Sequence, residues 1–545
     1  MRMQKTVYLL FVLELFILSI DARVIHFPQM KARSTSVISI DSVELREDLT
    51  RFYFNFKGLP NQWMVIDRSL TLSDPSSGKE WEAIEADGID LGRKFQFSEL
   101  GVVKVSVDFP ALPDNVKNVD IFEKIQKKPI RLIDIQLESG NKALSVSQYP
   151  IKNEKNREQD YRKILRVDTA VLRGYIRGYH PRLKWGEGVI VLDNVVTTEV
   201  QNIPVKFNDD GSFEVKMELY YPVQQVLLLP DGYINFYLEP GKELMVYADM
   251  DELTRPVLNL EEIESKARYL NYSGELGQEN NELKYYRSFD LFDVQRYAED
   301  VRSLSPDSFD MKEKWNLQKR LQNIEKLEKE NLLSYKISHL LKMNVWYVYG
   351  RHMLDYEQYY TANKGRCLPD SFYAFLGILP RHDELSLSAA DYKLFIHYLE
   401  HILPIREKMS WTVNDFLSDF SQYGIELNPE EKELVSCALQ MKTPSDTLSI
   451  QNFSYKMDKF NRKYKDLQIL MRENAVLRKQ RQVYINQFGL TPDIQTDLFI
   501  TRRFMMRLQS LGRPLTSQEL CSEVENISNV FLKDIVYQKN FSFQK

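Results

Sequence analysis

The sharpest chemical pattern in this sequence is His397-Tyr398-Leu399-Glu400-His401. Two imidazoles four residues apart on one helix face can meet a single zinc ion, and a glutamate beside the second can activate a bound water. That H-x-x-E-H order is used by inverted zinc peptidases. A third ligand is required, and Glu473 stands downstream as a formal candidate. The same stretch also reads as an ordinary helix burying Phe395, Ile396, Leu399, Ile402 and Leu403. Short motifs of common residues arise by chance in long helical chains, so a zinc hydrolase is the remote reading.

The other reactive residue types are dispersed. His339, His352 and His382 stand near no Cys or paired acid, and a hydrogen-bonded structural role suits each. Cys367, Cys437 and Cys521 are far apart, whereas zinc sites and redox dithiols need close pairs such as C-x-x-C. Isolated thiols in helical cores are expected, and a single bridge between two of them is open in an oxidising compartment. Gly174, Gly178, Gly186 and Gly188 fall among strands, not ahead of a helix where a phosphate loop belongs. No G-x-S-x-G occurs. The acidic turn Asn208-Asp209-Asp210-Gly211 has too few spaced oxygens for an EF-hand and reads as a hairpin turn. Tyr175, Tyr179, Trp185, Tyr220, Tyr221 and Tyr233 lie near expected strand ends. Sugar- or peptide-binding platforms are built from such residues, and so are ordinary sandwich cores. On this reading no catalytic, cofactor-binding or metal-ligating residue is assigned.

The elements that would position these residues change character along the chain. Complete alternation runs through 212–219: Phe213, Val215, Met217 and Leu219 face one way, and Ser212, Glu214, Lys216 and Glu218 the other. Further strands are expected at 171–178, 188–193, 201–207, 223–229, 233–238 and 244–249, with short connections that favour antiparallel neighbours. Closer to the amino terminus, Ile38 to Leu45, Phe52-Phe54-Phe56, Val103-Val105-Val107 and Ile133-Ile135-Leu137 give strands separated by Gly, Pro and Asp turns. After Thr254 the period lengthens. Leu317, Leu321, Ile324, Leu327 and Leu332 mark a helix face within 311–348, which holds one long helix or two. Helices are also expected over 389–403, 414–420, 429–441, 460–486, 494–510 and 517–537, the last capped by Thr516-Ser517-Gln518-Glu519.

The fold class is therefore multidomain, β then α: two antiparallel β-sandwich-like domains followed by an irregular all-helical domain. Residues 23–155 form the first β domain, 165–252 the second and 265–545 the helical region, with the charged stretch 152–160 as linker. A length of 545 residues suits several domains. A net charge of -5 with 27% charged residues gives no polyanion-binding surface, so nucleic acid is not an expected partner. Arg2 and Lys5 ahead of the apolar run 7–20, with Ala22 beyond it, describe a signal peptide over 1–22, although Glu14 interrupts the run. No Cys follows for lipid attachment, and the mature chain has no apolar run of spanning length. Export to the periplasm or cell envelope is the expected localisation.

Four segments carry a family resemblance. They are Gly174-Tyr175-Ile176, Asn208-Asp209-Asp210-Gly211-Ser212-Phe213, Phe236-Tyr237-Leu238-Glu239-Pro240-Gly241-Lys242, and Tyr272-Ser273-Gly274 running on to Asn280-Asn281-Glu282-Leu283. Together they resemble the amino-terminal part of bacterial TlpA-like, thioredoxin-domain disulfide reductases. The resemblance implies a small β domain closed by the Pro240-Gly241-Lys242 turn, then a helical region opening at Tyr272. Nearer the amino terminus, 38–50 and Asp108 to Pro113 look like the extra β domain of longer members. Such proteins continue into a thioredoxin fold with W-C-x-x-C, whereas this chain reaches Lys545 near where that fold would begin, and none of its Cys maps onto the dithiol. The expectation is an exported accessory or binding protein without redox activity, its partner a protein or peptide and its cofactors none. The alternative is a periplasmic or surface glycan- or peptide-binding protein.

Overall fold

The computed structural model describes residues 23–543, apart from 126–127, 139–163, 257–269, 288–292, 367, 403–411, 441–446, 473–492, 518–519 and 521–523. The expected leader 1–22, the linker 152–160, Cys367, Cys521 and Glu473 lie outside the described residues, as do Gln518 and Glu519 of the expected cap. The architecture is antiparallel β-sheet followed by helix, as the change of period implies.

Phe52, Phe54 and Phe56 on Leu49–Lys57 are buried, while the residues between them lie toward solvent. This strand is the middle of a five-stranded sheet, with Ile38–Leu45 on one side and Val102–Pro110 on the other. Arg23–His26 and Glu85–Asp87 form its edges. A second five-stranded sheet runs Ala32–Arg33, Arg131–Gln136, Asn118–Phe122, Thr71–Ser73, Glu80–Glu82. Both sheets contribute to one core, in which Phe52 and Phe109 meet edge to face at 5.7 Å and Leu72, Val119 and Leu132 are buried with them. Trp63–Val65 and Lys94–Gln96 make a separate two-stranded ribbon.

The second β unit follows the expected strands closely; Ser212–Leu219 falls where the alternation puts it, and Gly188–Asp193 and Val223–Leu229 have the expected bounds. Its sheets are ordered Ser212–Leu219, Asp168–Arg177, Glu243–Asp249, Asn271–Ser273 and Val200–Val205, Gly188–Asp193, Val223–Leu229, Gly232–Leu238. One pairing departs from expectation. Asp168–Arg177 runs parallel to Glu243–Asp249, with Leu172 opposite Leu244 and Ile176 opposite Ala248. A parallel pair needs a long crossover, and here the intervening strands of both sheets supply it. Gly211 closes the turn before Ser212 at φ +86°, where a Cβ would sit 2.6 Å from the Ile176 carbonyl oxygen.

The helical region contains Gly277–Arg287, Val294–Ser303, Pro306–Lys329, Tyr335–Lys364, Tyr392–Leu399, Val413–Gln422, Pro429–Leu439, Thr447–Lys463, Ile494–Leu511 and Val530–Ser542. The pattern over 311–348 resolves into two helices. Asn331 takes a left-handed φ of 55° between them, and Ser334 caps the second by accepting from the Ile337 N–H. Leu317, Ile324 and Leu327 are buried as their spacing implies, whereas Leu332 lies in the break and is exposed. Asn428 and Glu431 form a reciprocal capping box, with Pro429 at the first helical position.

The second β unit and most of these helices share one continuous apolar core, which includes Leu172, Leu219, Phe236, Leu340, Tyr347, Phe395, Phe504 and Leu532. Phe416, Phe420, Val435, Phe460 and Tyr464 form a smaller separate cluster. The first sandwich meets the second unit through Ala32 and Ile133, which belong to that shared core, and through polar ties: Arg33 grips Asp251 with two bonds of 2.7 Å, Arg182 reaches Asp120 at 2.7 Å and Lys128 reaches Asp231 at 2.7 Å. Among the described residues no helix is long and apolar enough to cross a membrane.

Candidate functional site

His397 sits in the last turn of Tyr392–Leu399, Glu400 caps that helix, and His401 lies just past its end. Phe395, Ile396 and Leu399 drive the helix into the shared core and leave the two imidazoles on the outside. The rings lie 5.0 Å apart, and ligand atoms of His397, Glu400 and His401 all fall within 4.8 Å of one another. His401 Nδ1 donates to the His397 carbonyl at 2.8 Å, which leaves its Nε2 as the lone-pair nitrogen. Burial, and then the neighbouring His401, depress the His397 pKa, favouring a neutral ring at neutral pH.

The glutamate serves a different purpose. Its carboxylate is buried and accepts from Arg502 Nε at 2.8 Å and Nη2 at 3.1 Å. Arg502 Nη1 continues to the Val195 carbonyl at 2.9 Å, so the pair ties Ile494–Leu511 and the motif helix to the second β unit. A general base must face the water it activates. Glu400 instead faces inward on a bidentate guanidinium, so this arrangement lacks the base of a zinc peptidase.

The remaining histidines with described partners take the structural roles expected of them. His339 Nε2 meets Asp383 at 2.6 Å, while His352 Nδ1 meets Glu313 at 2.7 Å with its ring 4.2 Å from that of Tyr297. Burial would push the Glu313 carboxyl up, but the His352 bond and charge outweigh it and hold the group below the ordinary range. Asp210 accepts from the Ser212 N–H and hydroxyl at 2.9 and 2.7 Å, an Asx-type turn that accounts for the acidic loop. Cys437 is a half-buried free thiol. Of the aromatic residues near strand ends, Trp185, Tyr220 and Tyr221 are buried, and Tyr179 packs on Phe207 at 5.6 Å; Tyr233 alone of the six is exposed. They do not form one platform. The first sandwich has a small apolar cavity of about 10 Å3 between Ile38, Phe54, Val107 and Ile121, room for about one water.

A polar cluster lies where the turn 239–242, the helix Gly277–Arg287 and the helix Tyr335–Lys364 meet. Lys336 on Tyr335–Lys364 is enclosed between Glu239, with which it pairs closely, and Glu279 at 3.2 Å. Burial pulls its pKa down, yet the two carboxylates outweigh burial and raise it, so it stays an ammonium and not a nucleophilic amine. Lys242 bonds Glu275 at 2.6 Å. Asn280 accepts from the Tyr237 N–H at 2.7 Å and donates to its carbonyl at 2.9 Å, and Asn281 donates to the Tyr272 carbonyl at 2.9 Å. No local pattern shows that these positions converge on one joint, because the partner Lys336 stands 57 positions beyond Glu279. No family model, curated protein or solved structure matches the chain.

Proposed function

We propose that the chain is an exported, non-catalytic accessory or binding protein of the cell envelope, related to the amino-terminal region of TlpA-like disulfide reductases and without a redox dithiol of its own. The observation that carries this reading is the use made of the resembling residues. Gly211 and Ser212 close a hairpin turn, Glu239 and Lys242 flank a turn salt-bridged to Lys336 of a helix and to Glu275 ahead of another, and Asn280 clasps the backbone of the strand Gly232–Leu238. All are joints that set one element against another. Two further facts support it: Glu400 is committed to Arg502, and the sequence contains no C-x-x-C. In this reading the partner is a protein or peptide.

The test is dithiothreitol-driven insulin reduction by the purified full-length chain, with thioredoxin as positive control. The rate should stay at the uncatalysed level, and acceleration above it rejects the non-catalytic reading. Recovery of the protein from the periplasm of a Gram-negative host, with an amino terminus at Arg23, checks export separately.

A further inference from the structure

In the first sandwich, two exposed apolar side chains, Trp63 and Leu100, and three exposed lysines, Lys57, Lys94 and Lys104, stand on one loop pair and the strand ends that flank it. The connection 58–62 follows the strand Leu49–Lys57, and the connection 97–101 precedes Val102–Pro110; the two strands are paired, with Lys57 opposite Val102. Backbone bonds lock the loops together: Gly58 N–H to the Gly101 carbonyl at 2.9 Å, Phe97 N–H to the Gln62 carbonyl at 2.8 Å, and Asn61 N–H to the Phe97 carbonyl at 3.3 Å. Gly101 holds φ +66°, and a Cβ there would lie 2.4 Å from the Gly58 oxygen, so only glycine allows the approach. The result is a stiff tip.

That tip directs its apolar residues outward. Leu100 is 87% exposed and Trp63 58% exposed, and Pro60 is exposed beside them. The ammonium of Lys94 lies 3.9 Å from the centre of the Trp63 ring. Lys57, Lys94 and Lys104 are all exposed and carry no ion pair among the described residues; Arg93 pairs with Asp90, and Glu99 is the acidic residue of the 97–101 loop. A leucine exposed on a rigid loop and a tryptophan exposed at the start of the adjoining ribbon strand are costly in water and favourable at a bilayer interface, where tryptophan prefers the headgroup level. Lysines around them can keep their stems on the apolar layer and their charges among phosphates. The cationic excess distinguishes an anionic lipid surface from a purely apolar protein groove.

We infer that the tip formed by 58–63 and 97–101 docks the protein peripherally on anionic phospholipid, with Trp63 and Leu100 entering the interface and Lys57, Lys94 and Lys104 neutralising headgroups. This does not depend on the accessory role proposed above. Because the loops are already locked by backbone bonds, docking requires little ordering of the chain.

The test is co-sedimentation of the full chain with vesicles of equal parts phosphatidylglycerol and phosphatidylcholine, and with vesicles of phosphatidylcholine alone. Binding should favour the anionic vesicles and weaken as salt is raised. Leu100→Asp should reduce partitioning about tenfold or more, and Lys57→Gln with Lys104→Gln about tenfold or more at low salt. Val530→Asp, an exposed position on the carboxy-terminal helix Val530–Ser542, outside the first sandwich, should leave it unchanged. Phosphatidylcholine brominated in its acyl chains should quench tryptophan emission in anionic vesicles, and Trp63→Phe should remove most of that quenching. The positions changed are exposed, so unaltered far-ultraviolet dichroism is expected and excludes misfolding as the cause. Absence of binding overturns the inference. So does binding that survives Leu100→Asp and the paired lysine changes, because the contact would then lie elsewhere.

Discussion

At the scale of single residues, the exchange between Glu400 and Arg502 decides what the motif at 397–401 can do. Both side chains are buried, and the guanidinium also satisfies the Val195 carbonyl. Arg502→Met would strip the buried carboxylate of its guanidinium, at a cost of about 3–5 kcal/mol in urea unfolding. His397→Ala and His401→Ala, on the outer face, should each shift stability by less than about 0.5 kcal/mol. Equal effects from all three would show that the histidines share the structural role. The imidazole pair was legible in the sequence, since spacing on a helix is a local property. The arginine was not, because it stands 102 positions beyond Glu400 and no periodicity links them. Trp63 and Leu100 are not legible for a related reason: the ribbon strand Trp63–Val65 is too short for alternation to register, and the exposure of Leu100 depends on which loops meet.

At the scale of elements, the hairpin of Pro306–Lys329 and Tyr335–Lys364 illustrates how helices are fastened. Glu328 accepts from the Ser338 hydroxyl at 2.6 Å and from Lys342 Nζ at 2.9 Å, across the break at 330–334. The Ser338 bond, followed by Lys342, holds its carboxyl below the ordinary 4.5. A depressed carboxyl contributes stability that is complete above the unfolded value and is lost as pH falls through the folded one. Glu328→Gln should therefore lower stability at neutral pH by about 1 kcal/mol, a modest figure because the group is partly solvated. The gap between parent and variant melting temperatures should close as pH falls below about 4.5. A gap that stays constant down to acid pH would reject the assignment. Elements with a full period were readable: the strands Gly188–Asp193 and Ser212–Leu219, and the helix Ile494–Leu511, fall close to where apolar spacing places them. Strands such as Thr71–Ser73 or Glu80–Glu82 are only three residues long, too short for alternation to register, and tertiary pairing alone defines them.

At the scale of the whole molecule, cores and not linkers set the cooperative units. The first sandwich has its own apolar interior, whereas the second β unit shares one with the helices. Calorimetry should resolve two main transitions, and a fragment of residues 23–138 should fold alone. A fragment of 164–256 should not, because Tyr237, Val196 and Leu238 are buried in the shared core with the helices; 164–545 should. Native-like dichroism and a sharp melt from 164–256 would refute this. The parallel pairing of Asp168–Arg177 with Glu243–Asp249 also has a consequence during synthesis. Arg177 and its partner Asp249 are 72 residues apart, so at about 5–20 residues per second the first strand emerges roughly 4–14 s before its neighbour. For that interval the nascent sheet lacks an interior strand, and its apolar face stays open to chaperones.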